Sequence, residues 1–483
     1  MSVVAESVTE PPLFVDLDGT LVKTDLLLES ALVLIKTRPR TIVLLFLWLL
    51  RGRAHLKAEI ARRADVPADT LVYDERLLVR LREERDRGRQ LVLATASNRK
   101  YADAVAAHLG LFHGVLASDA TRNLKGERKL EAILAYTDGR SFDYIGNEAA
   151  DLPLWRKARK AICVDTPASV VRAVREFTEP DEIAAQRRSY LKLLIRAVRV
   201  HQWAKNALLF VPLMAAHRVR DFGADVRVVA ATVAFCLCAS SVYVLNDLTD
   251  LRSDRLHPRK RKRPFASGEL PLVHGVLLAP LLLATSATIA LTLLPRAYLL
   301  VLAIYFTSTL AYNFAAKELA VWDVILLAGL YVVRVVAGAA AVPVQMSFWL
   351  LAFSGFVFLS LALAKRYSEM FTLQKLGQAQ AHGRGYLTDD MPILQSMGVS
   401  SGYLAVLVMA LYINSSEVHA LYPRPFALWA ICPLLIFWIS RVWVTTHRGQ
   451  MHDDPVVFAL RDNVSLAIGV LTIVCVVLGT LPV

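Results

Sequence analysis

The stretch Asn246 to Asp254, NDLTDLRSD, places Asp247, Asp250 and Asp254 at i, i+3 and i+7 where an apolar run ends. On one helix that spacing turns three carboxylates to one face, and Asn246 adds a neutral oxygen one turn before Asp250. Three like charges so placed repel unless cations sit between them. Hard oxygen ligands suit Mg²⁺, which binds through a few carboxylates and substrate phosphates. The sign of the charge then reverses, with seven Lys or Arg residues between Arg252 and Arg263. Members of this run, Arg261 among them, are suited to phosphate oxygens. The pattern predicts a metal–diphosphate site in which Asp247, Asp250 and Asp254 are both metal ligands and catalytic groups.

A second acidic pair lies near the start, in PLFVDLDGT. Leu13 to Val15 reads as a buried strand that runs into Asp16, Asp18 and Gly19. Two carboxylates and a glycine just past a strand end make an acidic loop. Other polar residues stand in apolar surroundings, where ionisable groups are costly and mark function by default. Arg334, inside LYVVRVVAGA, needs a partner, either a substrate phosphate or Asp323. Lys205 and Asn206 open an apolar segment and are placed to meet a lipid phosphate, although snorkelling serves Lys205 equally well. Tyr312, Asn313 and Lys317 stand at a segment end, where interfacial anchoring is the competing reading.

The elements that must position these groups differ between the two parts of the chain. Of the 483 residues, 55% are hydrophobic, but unevenly so. Residues 1–190 mix charged and apolar residues as a globular domain does. Beyond residue 200, apolar runs of about 17–23 residues recur, each long enough to cross a bilayer as a helix. Nine spans are expected, at 204–218, 226–246, 271–293, 296–314, 321–342, 346–364, 397–415, 424–444 and 462–483. The connections richest in Lys and Arg lie on one side together with the N-terminal domain, which places that side in the cytoplasm. The opening MSVVAESVTEPP does not read as a signal peptide, in agreement with a cytoplasmic N-terminal domain. A net charge of +13 fits this positive-inside bias and calls for no nucleic-acid partner. The five cysteines are scattered without a CxxC pair and read as small buried hydrophobes.

Two resemblances sharpen these readings. NDLTDLRSD resembles the first Asp-rich motif of the UbiA-type polyprenyltransferases, over about 280 residues. Within that family RVHQWAKNALLFVPL, NDLTDLRSDRLHPRKRKRPFASGELP and LALAKRYSEM are similar to the decaprenyl-phosphate phosphoribosyltransferases. Aromatic prenyltransferases carry a second motif, DxxxD. The matching place here is KRYSE, with Lys365 where an acid is expected and Glu369 as the remaining carboxylate. Lys365 and Arg366 would suit the 5-phosphate of a phosphoribosyl donor. In the N-terminal part DLDGT resembles motif I of the haloacid dehalogenase (HAD) phosphatases, which makes Asp16 the nucleophile and Asp18 the acid/base. Thr95, with Ser97 as fallback, matches the phosphate ligand of motif II, and Lys129, preferred over Lys125, the lysine of motif III. Motif IV appears in IGNEAADLPLW with Asn147 in place of its first acid and Asp151 retained. The resemblance therefore implies a metal set of Asp16, Asp18, Asn147 and Asp151, weakened by the uncharged Asn147.

The expected architecture is an α/β Rossmann-like HAD domain at 1–190, with a helical cap at about 25–85, followed by an all-α membrane bundle of about nine helices at 191–483. Within the cap, TIVLLFLWLL (Thr41 to Leu50) is too short to span and is expected to lie against the bilayer. The reaction implied is transfer of 5-phosphoribose from phosphoribosyl pyrophosphate to a polyprenyl phosphate, dependent on Mg²⁺, with the HAD domain removing the 5-phosphate from the product. One alternative keeps the family and uses a prenyl diphosphate donor with an aromatic or other small acceptor. Another is an anionic-lipid binding or transport module under HAD control. A homo-oligomer is open from sequence alone.

Overall fold

The computed structural model describes residues 10–184, 189–218, 221–314, 316–342, 344–377, 385–451 and 454–482. The chain forms two compact units. One is Met1–Val198 together with Val244–Leu278; the other is Arg199–Tyr243 together with Ala279–Val483.

The first unit is built on a parallel six-stranded sheet of β1 (Leu13–Val15), β2 (Leu91–Asn98), β3 (Gly114–Ser118), β4 (Asp143–Gly146), β5 (Ala161–Val164) and β6 (Asp181–Ile183). Their order across the sheet is β3-β2-β1-β4-β5-β6. β1 is apolar throughout because both of its faces are covered. Leu13 and Val15 pack on one side with Leu77, Leu81 and Val105, and Phe14 packs on the other with Phe142, Tyr144 and Trp155. Val15 pairs with Leu93 and with Ile145. The residues just beyond those three positions, which include Asp16, Thr95 and Asn147, therefore gather at the carboxyl edge of the sheet, where α/β proteins bind ligands. Helices α1 (Leu26–Thr37), α2 (Thr41–Leu50), α3 (Arg53–Arg63) and α4 (Glu75–Asp86) fill the connection from β1 to β2 as the expected helical cap. The later crossovers use α5 (Arg99–Leu109), α6 (Glu127–Tyr136), α7 (Leu152–Lys157) and α8 (Ala168–Arg175), and α9 (Tyr190–Val198) closes this part of the chain.

The remaining helices are α10 (Val211–Ala215), α11 (Phe222–Thr249), α12 (Leu251–Leu256), α13 (Leu272–Leu293), α14 (Arg296–Phe314), α15 (Trp322–Ala341), α16 (Phe348–Lys375), α17 (Met391–Ile413), α18 (Ser416–Leu421), α19 (Ile431–His447), α20 (Pro455–Arg461) and α21 (Asn463–Thr480). Among the described residues eight helical segments are long and apolar enough to cross a membrane: α11, α13, α14, α15, α16, Thr388–Ile413, Pro425–His447 and α21. α13 and α21 bury little of their surface inside the protein, as lipid-facing helices do.

The first expected span, 204–218, is a correction. Val200–Phe210 winds as a 3-10 helix and passes into the five-residue α10, with Pro212 near its start. Gln202, Lys205 and Asn206 interrupt its apolar face, and Pro212 supplies no backbone donor. The segment instead packs tightly on α15 at Gly338, where a Cβ would overlap the Leu209 carbonyl.

Candidate functional site

In the first unit the HAD-motif residues converge. Asp16 is buried and accepts a hydrogen bond from Lys129 Nζ at 2.7 Å. Lys129 also donates to the Tyr144 hydroxyl at 2.9 Å and lies 3.5 Å from Asp151 Oδ1. Lys125 instead pairs with Glu148 at 2.9 Å. Asp18 accepts from Ser97 Oγ at 2.6 Å and from the Leu26 amide at 2.9 Å. Thr95 is fully buried and accepts from the Ser97 amide. Of the two candidates on β2, it is therefore Ser97 that meets Asp18. Asp151 gives both oxygens to protein donors: Tyr144 and Lys129 on one, the Asn147 and Glu148 amides on the other. It holds the loop and the lysine in place.

Asn147 lies against Gly19, which has φ +74°, and a Cβ at Gly19 would strike the Asn147 amide group. Its Oδ1 is buried without a hydrogen-bond partner. An orphaned buried carbonyl oxygen at the sheet edge that also carries Asp16 and Asp18 is a donor that a divalent cation fits. Burial pushes the Asp16 carboxyl up to about 7 against the opposing pull of Lys129. Burial and then Asp25 push Asp18 up to about 6, in the range useful to a general acid. For Lys129, burial is outweighed by Asp16 and Asp151, and its pKa is raised. Lys57, absent from the expected set, reaches in from the cap to the Ala96 carbonyl at 2.6 Å and Asn123 at 3.0 Å.

The Asp-rich stretch belongs to the same unit and departs from a single helix. α11 ends at Thr249, Asp250 stands outside regular structure, and α12 starts at Leu251. The break does not scatter the acids. Asp247 and Asp254, each 2% exposed, both accept from Arg263 Nη1, at 3.1 and 2.6 Å. Two buried carboxylates aimed at one cation form a pair that a divalent ion also fits, although among the described residues no three His, Cys, Asp or Glu side chains form a metal cage. Asp250 accepts from Lys36 at the end of α1. Arg255 makes a two-pronged contact with Glu29 of α1 at 2.6 and 2.9 Å. Arg261 lies exposed on the Lys260–Lys262 turn; Arg263 of the same run reaches Asp247 and Asp254. Asn246 is half-buried in the last turn of α11.

In the second unit Lys205 and Lys365 meet on a residue that sequence reasoning missed. Asp454 Oδ2 accepts from Lys205 Nζ at 2.9 Å and from Lys365 Nζ at 3.1 Å. Tyr331 donates its hydroxyl to the same carboxylate, 2.8 Å from Oδ1. Asp454 also caps α20 by accepting from the Val456 amide. Burial favours its neutral form, but Lys365 and Lys205 outweigh that and hold it well below the usual carboxylate range. The HDDP sequence preceding α20 carries a cap signature, yet nothing local points to lysines so distant in the chain.

Lys365 and Arg366 part company. Arg366 is fully buried and donates to Asp323 at 2.5 Å, to the Tyr312 hydroxyl at 2.8 Å, and to Glu369. Asp323 is thus the partner of Arg366, which corrects the expected alternative that it pairs with Arg334. Arg334 instead donates to Asn206 Oδ1 at 3.0 Å and to the Leu330 carbonyl, with its guanidinium 5.1–5.4 Å from the rings of Phe235, Tyr305 and Tyr331.

With this geometry in view, comparison with known proteins decides the family. Residues 207–464 match the UbiA prenyltransferase family. The chain belongs to that family. Residues 13–156 match the haloacid dehalogenase-like hydrolases, so this UbiA protein carries an HAD-like domain in front of its membrane helices. It is 36% identical to an uncharacterized protein, y4nM, of Sinorhizobium fredii over 95% of this chain and 89% of that protein. It is 40% identical to the nodulation protein NoeC of Azorhizobium caulinodans over 56% of this chain and 87% of NoeC. It is 35% identical to a decaprenyl-phosphate phosphoribosyltransferase of Mycobacterium tuberculosis over 56% of this chain and 88% of that enzyme. It is an integral membrane protein of the transferase class.

Proposed function

We propose that the UbiA part transfers 5-phosphoribose from phosphoribosyl pyrophosphate to a polyprenyl phosphate. The observation that carries this reading is Lys365. It is basic where a second acidic motif is expected, and with Lys205 it is gathered on the single carboxylate of Asp454, whose side chain is 10% exposed. Two ammonium groups held together in this way suit a substrate rich in phosphate oxygens. The likeness to decaprenyl-phosphate phosphoribosyltransferase supports the same donor.

In the reaction, an oxygen of the lipid phosphate attacks C1 of the ribose. The C1–O bond to pyrophosphate breaks and pyrophosphate leaves with the electron pair, so no proton has to move. Asp247, Asp250 and Asp254 would hold Mg²⁺, which when bound neutralises the pyrophosphate. Arg263, with Arg261 and the rest of the basic run, would take phosphate oxygens that the metal leaves uncovered. Arg334 keeps Asn206 oriented and Arg366 holds α16 to α15, so both act on substrate through the residues they position. The HAD-like domain, read as residues 1–190 ahead of a transferase at 191–483, is cytoplasmic by the distribution of Lys and Arg. It would remove the 5-phosphate of the product: Asp16 attacks phosphorus, Asp18 gives its proton to the departing oxygen, and water then releases phosphate from Asp16. Lys129 and Ser97 would steady the phosphate, and Asn147 would offer its free oxygen to Mg²⁺.

The test is incubation of the purified full chain with Mg²⁺, labelled phosphoribosyl pyrophosphate and a polyprenyl phosphate. Label should enter the lipid phase, and loss of its 5-phosphate would report HAD activity. No transfer with any polyprenyl phosphate, together with transfer from a prenyl diphosphate, would reject the phosphoribosyl reading.

A further inference from the structure

We propose that α2 is an interfacial membrane anchor: it lies in the plane of the bilayer surface and brings the HAD site to phosphate esters carried by lipids. The placement of α2 requires only that α11 crosses the membrane and stands whichever donor the transferase uses; the lipid-borne phosphate ester rests on the phosphatase reading of the HAD site.

The starting observation is an uncovered apolar helix. Phe46 is 70% exposed and Leu50 84%, and Ile42, Val43, Leu47 and Leu49 are exposed beside them. Only one narrow side is packed, where Trp48 and Leu45 rest on Leu34, Ile60 and Ala64. At about 1.5 Å per residue the ten residues of α2 measure roughly 15 Å, half a hydrocarbon core. The helix is too short to cross and well suited to lying flat. Exposed arginines bracket it, Arg38 and Arg40 before, Arg51 and Arg53 after. That is the charge an anionic headgroup layer complements.

A second, independent observation sets its depth. α1, which leads into α2, is fastened to the end of a membrane-crossing helix. Lys36, in the last turn of α1, bonds Asp250, the residue that follows α11. Arg255 of α12 is locked to Glu29 of α1, with side chains 6% and 3% exposed, and also donates to the Thr70 carbonyl at 3.1 Å. Gly268, with φ +70°, lets the loop close on Lys23, whose Cβ would lie 2.7 Å from a Cβ at that position. The C-terminal end of α1 is therefore at the level where α11 leaves the bilayer, and α2 begins five residues after Lys36. The other end of α1 is tied to the HAD site by the Leu26 amide on Asp18. Twelve residues of helix separate the two, roughly 18 Å. A phosphomonoester on a lipid headgroup is the class of substrate that such a strut places within reach.

The test uses the full chain in vesicles, with Cys475→Ala to remove the native thiol that is not fully buried. An environment-sensitive fluorophore is attached at Phe46→Cys or, as control, at exposed Glu131→Cys on α6. Phospholipids brominated on their acyl chains should quench the first label severalfold and leave the second unchanged. Equal, weak quenching at both positions would overturn the proposal. So would a label at position 46 that is shielded from water but not quenched, since that marks a protein surface, such as a second copy. Arg40→Glu/Arg51→Glu should weaken quenching at position 46 in vesicles containing phosphatidylglycerol more than in pure phosphatidylcholine. No difference between the two lipids would overturn the headgroup part.

Discussion

Lys129 and Arg263 each sit between two aspartates, and the protein holds them differently. Lys129 rises from a helix inside the core, is 3% exposed, and shares its ammonium between Asp16, Asp151 and the Tyr144 hydroxyl. Arg263 follows a 3-10 turn, keeps 27% of its side chain exposed, and spans Asp247 and Asp254 from a loop. The comparison separates two uses of a cation among acids. A buried lysine with no exit is a permanent part of a site and stabilises the fold around it. On the proposed reading, a loop arginine with an exit is exchangeable, and a divalent ion would take its place. Lys36 on Asp250 is of the second kind, since its side chain is 34% exposed.

The largest effect is expected at the permanent cation. Lys129→Met leaves two buried carboxylates without compensation, a loss of about 3–5 kcal/mol. Chemical unfolding followed by the fluorescence of Trp155, which packs on Tyr144, measures it. A loss under 1 kcal/mol would put Lys129 with Arg263 among the exchangeable cations. Next comes Asp250→Asn. If this residue helps hold the metal on pyrophosphate, transfer of label to lipid should fall by about 10²–10³-fold, while binding of polyprenyl phosphate persists. Loss of both would point to a folding defect, and loss of neither would remove Asp250 from the chemistry.

What was legible in the sequence follows the same division. The HAD site is readable because strand ends carry its residues, and parallel pairing of β1 with β2 and β4 brings those ends together. Asp16, Asp18 and the end of β2 come together by that register, although it is Ser97, the fallback to Thr95, that meets Asp18, and Lys129 arrives from α6. The eight long membrane helices are readable from apolar length alone. What could not be read is partnership across the chain. Asp454 meets Lys205 across 249 positions, and Lys36 meets Asp250 across 214. Arg366 looked like a phosphate ligand beside Lys365, yet successive residues on a helix point about 100° apart, and its direction leads to Asp323. The 204–218 segment has the composition of a span, but Pro212 and the close approach at Gly338 are packing facts that composition does not carry.

Asp18 gives a smaller, pH-dependent effect. Its carboxyl is raised from an ordinary 3.8 to about 6, so the folded state disfavours the ionised form. Stability from the protonated group is complete below pH 4 and is lost as pH rises through 6. Asp18→Asn should therefore be more stable than the parent at pH 8, by about 1–2 kcal/mol after allowance for partial exposure, and no more stable at pH 4. Melting temperatures in magnesium-free buffer at the two pH values check the sign. An advantage at pH 4 as large as at pH 8 would show that the carboxylate is not strained by burial.

Arg263→Gln tests the exchangeable cation itself and should move the least. A partly exposed pair of this kind contributes about 1 kcal/mol, so stability should hardly change. Removing the guanidinium takes away the one cation that Asp247 and Asp254 are seen to share. A divalent ion then no longer has to displace one, and Mn²⁺ binding, read by electron paramagnetic resonance without substrate, should tighten about 3- to 10-fold. If Arg263 also takes phosphate oxygens, the KM for phosphoribosyl pyrophosphate should rise in the same variant, because the group that yields to the metal is the group that meets the substrate. Tighter metal with an unchanged KM would make Arg263 a placeholder only. Weaker metal with lower stability would place it beside Lys129, and the distinction between a fixed and a displaceable cation would fall at this site.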